Sequence, residues 1–104
     1  MADDETLRQR VESARAALKR IRRAEGPTAE ELAAAPQLEC WYLTRHHGCV
    51  ALAGYVTDHP TLLDGAHIAT SCLLWLSDNR DVARTVSRFY RLSASLEEAL
   101  AQGK

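Results

Sequence analysis

The sequence lacks any long apolar run. No stretch approaches the roughly 18–20 apolar residues that a membrane-spanning helix needs, so we expect no membrane association through a spanning helix. Residues 1–5 are acidic and polar, which predicts that no cleaved secretory signal is present. With 3 cysteines, not all thiols can pair, and reduced thiols in a cytoplasmic protein are the simpler expectation.

Motifs of known enzymes are also missing. The sequence contains no nucleophile elbow, no glycine-rich phosphate loop and no carboxylate pair on one helix face. Ser71 or Cys72 with His59 and Asp64 would supply a nucleophile, a base and an orienting group, but nothing in their spacing brings them together. We therefore expect a protein that is not an enzyme.

The cysteines and histidines follow no recognised zinc pattern. Cys40, His46, His47 and Cys49 are arranged as Cys-x5-His-His-x-Cys, which is neither a finger nor a ribbon spacing. If the two segments around the histidines form a hairpin, Cys40 lies far from the turn. We expect no metal and no cofactor, and keep a small metal-binding protein as the last of three functional alternatives.

Charge is balanced overall but segregated along the chain. The 104 residues have a net charge of −1, with 46% hydrophobic and 26% charged residues, as in a single soluble globular domain spanning 1–104. Residues 1–26 have a balance of +2, residues 27–78 of −5 and residues 79–104 of +2. This separation favours protein contacts over non-specific nucleic-acid binding, which needs an uncompensated basic face.

Residues 1–36 are predicted to form two helices. An amphipathic helix over 4–24 carries one apolar stripe at helical spacing: Leu7, Val11, Ala14, Leu18 and Ile21. The Thr28-x-x-Glu31 capping box predicts a short second helix over 29–35. The stripe either packs on the protein's own sheet or forms the seam of a homodimer through Leu7, Val11, Leu18 and Ile21.

The β-rich part is predicted over 37–92. Strands are expected over 38–44, 49–57 and 66–76, with a turn over 45–48. His59-Pro60 and Asp64-Gly65 are interpreted as structural loop residues, since proline restricts φ and glycine accepts positive φ. A capping box at Ser95-x-x-Glu98 predicts a final helix over 96–101, within a short helix and tail over 93–104.

Residues 82–92 are ambiguous by periodicity alone. Val82, Val86 and Phe89 fit a helical spacing, whereas Val82, Val86 and Tyr90 share the parity of a strand face. We expect a strand, for the reason given next, and keep a helix as the alternative.

Two motifs resemble a family of small uncharacterised proteins of proteobacteria and their phages. They are Gly54-x-Val56-x-x-His59-Pro60-x-Leu62-x-Asp64-Gly65-x-x-Ile68-x-Thr70-Ser71 and Ala83-Arg84-Thr85-x-Ser87-Arg88-x-Tyr90-Arg91-Leu92. The resemblance covers residues 50–92 and implies a small antiparallel sheet or partial barrel with a strand at 82–92. With the helices, the expected fold is α+β, an N-terminal helix pair packed on that sheet.

Basic and aromatic residues are the candidate partner-binding side chains: Arg20, Arg23, Arg84, Arg88, Arg91 and Tyr90. The expected function is a non-enzymatic protein-interaction module of phage or mobile-element type, such as an anti-CRISPR-like inhibitor that occupies a partner's surface. The alternative is a nucleic-acid-binding accessory protein that uses Arg84, Arg88 and the Lys19–Arg23 cluster.

Overall fold

The chain forms a five-stranded barrel with two helices before it and one after it. The computed structural model describes the backbone of residues 2–102 and the side chains of residues 7–102. In chain order the elements are α1 (Ala2–Arg22), α2 (Ala29–Ala34), β1 (Gln37–His46), β2 (Cys49–Thr57), β3 (Ala66–Leu76), β4 (Val82–Thr85), β5 (Phe89–Leu92) and α3 (Leu96–Gln102). This order confirms the predicted α+β class. The predicted tail at residues 103–104 lies outside the described residues.

The sheet closes on itself. Each strand pairs antiparallel with the next, and β1 also pairs with β5. Because five strands alternate in direction, the first and last point the same way, so Gln37 lies opposite Arg91 and Leu38 opposite Leu92 in a parallel pair. The predicted small sheet or partial barrel is thus a closed barrel, in which β1 and β5 are not free edge strands.

Apolar side chains fill the barrel: Leu38, Trp41, Leu52, Val56, Ala83, Tyr90 and Leu92. Trp41 packs there and donates a hydrogen bond from Nε1 to the Ser93 carbonyl at 2.8 Å. Tyr90 is only 4% exposed. Its predicted role in binding a partner is corrected by this position, since the side chain lies in the core and not on the surface.

Residues 82–92 form a hairpin and not the single strand or the helix that the sequence suggested. Strands β4 and β5 pair through Val82–Arg91, Ala83–Tyr90 and Arg84–Phe89. The Thr85 hydroxyl accepts the Arg88 N–H at 3.3 Å, and the Thr85 N–H donates to the Arg88 carbonyl at 2.9 Å. These bonds stabilise a tight turn in the middle of the segment, which divides it into two short strands.

Both predicted capping boxes are present. The Glu31 N–H donates to Thr28 Oγ1 at 3.1 Å, and the Thr28 N–H donates to Glu31 Oε1 at 2.9 Å. Ser95 and Glu98 exchange the same pair of hydrogen bonds at 3.1 and 3.3 Å. The boxes satisfy N–H groups that the first helical turn leaves without partners, so they define where α2 and α3 begin.

Among the side chains of helix α1 that the structure describes, those of its C-terminal half pack on the barrel. Ala17 is buried against Phe89 and Ala35, and Ile21 packs on the same cluster. Leu18 is half-buried, while Leu7 and Val11 are 56% and 42% exposed. The predicted stripe is therefore divided between the protein's own barrel and solvent, and a homodimer seam stays a prediction for its exposed half. Within the described residues, no helix is both long and apolar enough to cross a membrane.

The cysteines do not remain three free thiols. Cys49 on β2 and Cys72 on β3 form a disulfide, and Cys40 is free. The expectation of reduced thiols is therefore wrong for this pair. Its physical reason is the pairing of β2 with β3, which brings the two Cα atoms to 5.7 Å, within the range that a disulfide spans.

Gly54 is required where β1 bulges over β2. A Cβ at this position would lie 2.9 Å from the Glu39 carbonyl oxygen and 3.2 Å from Trp41 Cα. Both atoms belong to the backbone, so they cannot move without disturbing the bulge between Glu39 and Tyr42.

We expect Gly54→Ala to lower the free energy of unfolding by about 1–3 kcal/mol, measured by urea denaturation. Gly26→Ala is the control, because nothing lies within 4 Å of that position; equal stability of the two variants would contradict the packing argument.

Thiol labelling tests the cysteine assignment. Protein purified in air and alkylated in denaturant without reductant should gain one adduct, on Cys40, and three after reduction. Intact-mass and peptide mass spectrometry measure this. Cys40→Ser should gain none without reductant. Three adducts on the unreduced wild type, or a disulfide that includes Cys40, would show that the pairing is wrong.

Candidate anion-binding site

An ion pair joins α1 to α2. The Arg20 guanidinium donates to both carboxylate oxygens of Glu31, at 2.8 and 2.7 Å. The Arg20 hydrogen bonds are the main cause that lowers the pKa of Glu31 from 4.5 to about 2, and the Thr28 N–H adds to the effect. Glu31 is therefore ionised at neutral pH, and its charge is already compensated by Arg20.

Arg91 also has a partner from the acidic middle of the chain. Its Nη2 lies 3.4 Å from Asp58 Oδ2, and its Nε donates to the Ala35 carbonyl at 3.0 Å. The ion pair is solvent-exposed, so its contribution to stability is small. The backbone contact nevertheless fixes the side chain beside the end of α2.

Arg84 is buried, and no carboxylate of the described residues pairs with it. The residue is 4% exposed, and its guanidinium lies 4.9 Å from the centre of the Phe89 ring. Nε donates to the Thr85 carbonyl at 2.9 Å, and Nη2 lies 3.4 Å from the Ser13 hydroxyl on α1. Burial lowers the pKa of Arg84, Glu31 opposes this, and the charges of Arg20 and Arg88 lower it further. The guanidinium stays protonated, since an arginine is not deprotonated in proteins, and within residues 7–102 no carboxylate is its direct counterion.

The Arg88 guanidinium has fewer partners than that of Arg84. Its Nε is buried, and among the described residues it has no hydrogen-bond partner. No carboxylate of the described part of the chain lies within ion-pair distance of its guanidinium. Buried polar atoms are nearly always hydrogen-bonded in native proteins, so an orphaned guanidinium N–H needs an explanation.

Arg84 and Arg88 line one pocket of about 200 Å³, which we call the arginine pocket. Its other walls come from α2, the segment after it and β5: Glu31, Ala34, Ala35, Pro36 and Phe89. The walls combine two uncompensated guanidinium groups, one carboxylate already paired with Arg20, and apolar surface. This arrangement is suited to binding an anion that carries an apolar part.

The β2–β3 loop adjoins this region. His59 Nδ1 accepts the N–H groups of Thr61 and Leu62, at 3.1 and 3.2 Å. Asp64 Oδ1 accepts the Asp58 N–H at 2.9 Å, and Gly65 has a φ of +86°. Burial lowers the pKa of His59, and the charge of Arg88 lowers it further. Only the neutral imidazole of His59 can accept these hydrogen bonds at Nδ1. The loop geometry and the charge of Arg88 therefore both favour neutral His59.

The predicted partner-binding residues are thus distributed over several environments. Arg84 and Arg88 meet in the arginine pocket, and Arg20 reaches its edge through Glu31. Arg91 is paired with Asp58, Arg23 is exposed in the turn that follows α1, and Tyr90 lies in the core. The Lys19–Arg23 cluster and Arg84 do not share an exposed face, because Arg84 is buried.

Sequence reasoning missed Glu31, Phe89 and the apolar wall over 34–36. Glu31 was visible as the end of a capping box, but its contact with Arg20 depends on how α2 folds back on α1. Phe89 was visible as an aromatic residue between arginines. Its position under Arg84 follows from the β4–β5 pairing, which the sequence did not indicate.

The cysteine and histidine set does not assemble into a site. Cys49 is bonded to Cys72, and His46 and His47 lie exposed at the β1–β2 turn. Among the residues that the structure describes, no group of three or more His, Cys, Asp or Glu side chains is placed to hold a metal ion.

The comparisons with known proteins give one match. Residues 9–103 match the model of DUF6634, a family of unknown function. No curated protein and no solved structure is significantly similar to the chain. The match covers α1 from its middle onward, the barrel and α3, so it includes every residue of the arginine pocket.

The Arg20–Glu31 pair predicts a pH-dependent loss of stability. Because folding lowers the pKa of Glu31 from 4.5 to about 2, ionised Glu31 stabilises the fold above about pH 4.5, and this contribution disappears as the pH falls towards 2. Glu31→Gln retains the capping oxygen but removes the charge. We expect it to lower the free energy of unfolding by about 1–2 kcal/mol at pH 7 and by less at pH ~3, measured by urea denaturation.

Glu30→Gln is the matched control, because Glu30 lies in the same first turn of α2 and is exposed. It should change stability little at either pH. A Glu31→Gln effect of the same size at neutral and acidic pH would show that the ion pair does not stabilise the fold.

Proposed function

The chain belongs to DUF6634, a family of unknown function, and we propose that it is a non-enzymatic interaction module whose arginine pocket binds an anionic group of a protein partner. The observation that carries the proposal is the orphaned Nε of Arg88 next to the buried, uncompensated Arg84. Both side chains line the same open pocket.

Burial of these groups is unfavourable unless something compensates them. An unpaired buried hydrogen-bond donor costs about 1–3 kcal/mol, and a charged one costs more. Leucine or methionine at position 88 would avoid this cost and still line the pocket. An anion bound by the guanidinium groups that line the pocket would compensate their charge in the bound state, which explains why arginine is useful at this position.

The chemistry of the pocket suits binding better than catalysis. Guanidinium groups remain protonated at physiological pH, so they bind and orient anions but do not act as general bases. Glu31, the single carboxylate of the pocket, has its oxygens occupied by Arg20 and by the Thr28 N–H. This supports the prediction of a non-enzymatic protein.

The biological setting rests on the sequence alone. The resemblance described above is the support for a phage or mobile-element protein, which would inhibit by occupying a partner's surface as anti-CRISPR proteins do. A cytoplasmic location is likewise a prediction from the sequence. The Cys49–Cys72 disulfide counts against it, because disulfides are rare in reducing compartments.

Anion titrations test the proposal. In a 1H–15N NMR titration with inorganic phosphate and with benzoate, we expect shifts concentrated at residues 31–36 and 84–89 in the wild type. Arg88→Ala should lose them, because it removes the uncompensated guanidinium. Arg45→Ala, which removes an exposed arginine at the far end of β1, should retain them. Weak shifts spread over all basic residues, unchanged in Arg88→Ala, would show that the pocket does not select anions.

A further inference from the structure

We infer that the arginine pocket takes a phosphate monoester in its doubly charged form, in preference to a carboxylate or a phosphate diester. The inference rests on the proposed function, since it names the chemical class of the anion. It depends on three features of the pocket: the number of uncompensated charges, the number of free donors and the apolar wall beside them.

The charge balance favours a dianion. Glu31 and Arg20 neutralise each other through two short hydrogen bonds. Arg84 and Arg88 then remain, with no carboxylate of the described residues paired to either. A carboxylate or a diester would neutralise one of these two charges, whereas a phosphate monoester carries a charge of about −1.5 to −2 at pH 7.

The free donors also exceed what a carboxylate needs. Arg88 lines the pocket, and its Nε is buried without a hydrogen-bond partner among the described residues. On Arg84, Nε and Nη2 have partners, and Nη1 makes no hydrogen bond within the described part of the chain. A phosphate monoester presents three strongly accepting oxygens, so it can accept from both arginines at once.

The third feature is the apolar wall. Ala34, Ala35, Pro36 and Phe89 line the same pocket of about 200 Å³. This volume is several times that of one water molecule, at about 30 Å³ in the liquid. Room therefore remains beside the anion for the carbon atoms of an ester. The ligand we assign is a phosphate group on a small organic stem, and a phosphorylated side chain of a protein partner meets that description.

Calorimetric titration of the whole protein tests this with shape-matched ligands. The probes are phenyl phosphate, benzoate and diphenyl phosphate, which share an aromatic stem and differ in anion class. We expect phenyl phosphate to bind about tenfold or more tightly than the other two, because it satisfies two guanidinium groups where they satisfy one. Equal or tighter binding of benzoate would overturn the phosphate assignment and leave the proposed anion-binding function standing. Tighter binding of diphenyl phosphate would overturn it in favour of a diester such as a nucleic-acid backbone.

Variants assign the binding to the pocket. Arg88→Ala should weaken phenyl phosphate binding about tenfold or more, and Arg88→Lys should weaken it less, since lysine keeps the charge but loses the Nε–H donor. Arg45→Ala should have no effect. Thermal unfolding of each variant in the absence of ligand identifies loss of fold, and Arg88→Gln replaces any variant that fails this check. If none of the three ligands binds in a way that depends on Arg88, both this inference and the proposed function are wrong.

The source of the phosphate is tested with two further ligands. N-acetyl phosphoserine methylamide represents a phosphorylated protein, and a nucleoside 5′-monophosphate represents a nucleotide. Tighter binding of either one than of the matched N-acetyl aspartate methylamide supports the phosphate assignment, and the tighter of the two identifies the source. Neither exceeding the aspartate compound would overturn the assignment.

Discussion

The parallel pairing of β1 with β5 is the contact on which the rest of the structure depends. It involves few residues, with Leu38 opposite Leu92 and Gln37 opposite Arg91. The Arg91 N–H donates to the Pro36 carbonyl at 2.8 Å, and the Ser93 N–H donates to the Leu38 carbonyl at 3.0 Å. These bonds attach the β4–β5 hairpin to the strand that follows α2. The arginines of the hairpin are thereby brought against α2 and α1, and the arginine pocket exists only because the barrel closes.

Closure of the barrel also brings the basic ends of the chain against its acidic middle. The basic N-terminal segment contributes Arg20 and the basic C-terminal segment contributes Arg91, and each pairs with a carboxylate of the acidic middle, Glu31 and Asp58. Part of the charge separation in the sequence is therefore neutralised inside the fold. No carboxylate of the described residues pairs with Arg84 or Arg88, and Glu31, which lines the same pocket, is already bound by Arg20. The fold thus leaves two arginines beside each other in one pocket, in addition to the exposed basic side chains of α1.

Structural features that depend on residues close together in the chain were predictable from the sequence. The Thr28–Glu31 and Ser95–Glu98 boxes determine helix starts through bonds within one turn, and His47-Gly48 forms the two-residue β1–β2 turn, with φ of +51° and +79°. These elements lie where they were expected. The 82–92 segment was not predictable by parity, because Val86 and Ser87 belong to a turn and the two strands beside it are only four residues long.

The features missed from the sequence depend on register between distant strands. Cys49 and Cys72 are 23 residues apart, and only the β2–β3 pairing shows that they can bond. Leu7 and Ile21 fall on one helical stripe, yet the barrel covers only the end that carries Ile21. The candidate site was not predictable for the same reason, since its parts come from α1, α2 and the β4–β5 hairpin.

The arginine pocket contains a buried polar atom that lacks a hydrogen bond within residues 7–102 and therefore destabilises the fold. Other buried polar groups of the described residues have partners: Trp41 Nε1 donates to the Ser93 carbonyl, and Thr70 Oγ1 accepts the Leu52 N–H at 3.1 Å. Arg88 Nε is the exception among the described residues, because it is buried without a hydrogen-bond partner. A sequence that specifies one structure usually departs from such rules at functional sites, where the unfavourable group is compensated by a ligand. Arg84 and Arg88 sit on a hairpin positioned by barrel closure, so the backbone places both arginines beside the apolar wall that follows α2. The anion that we propose for this pocket would supply the compensation that the described part of the fold does not.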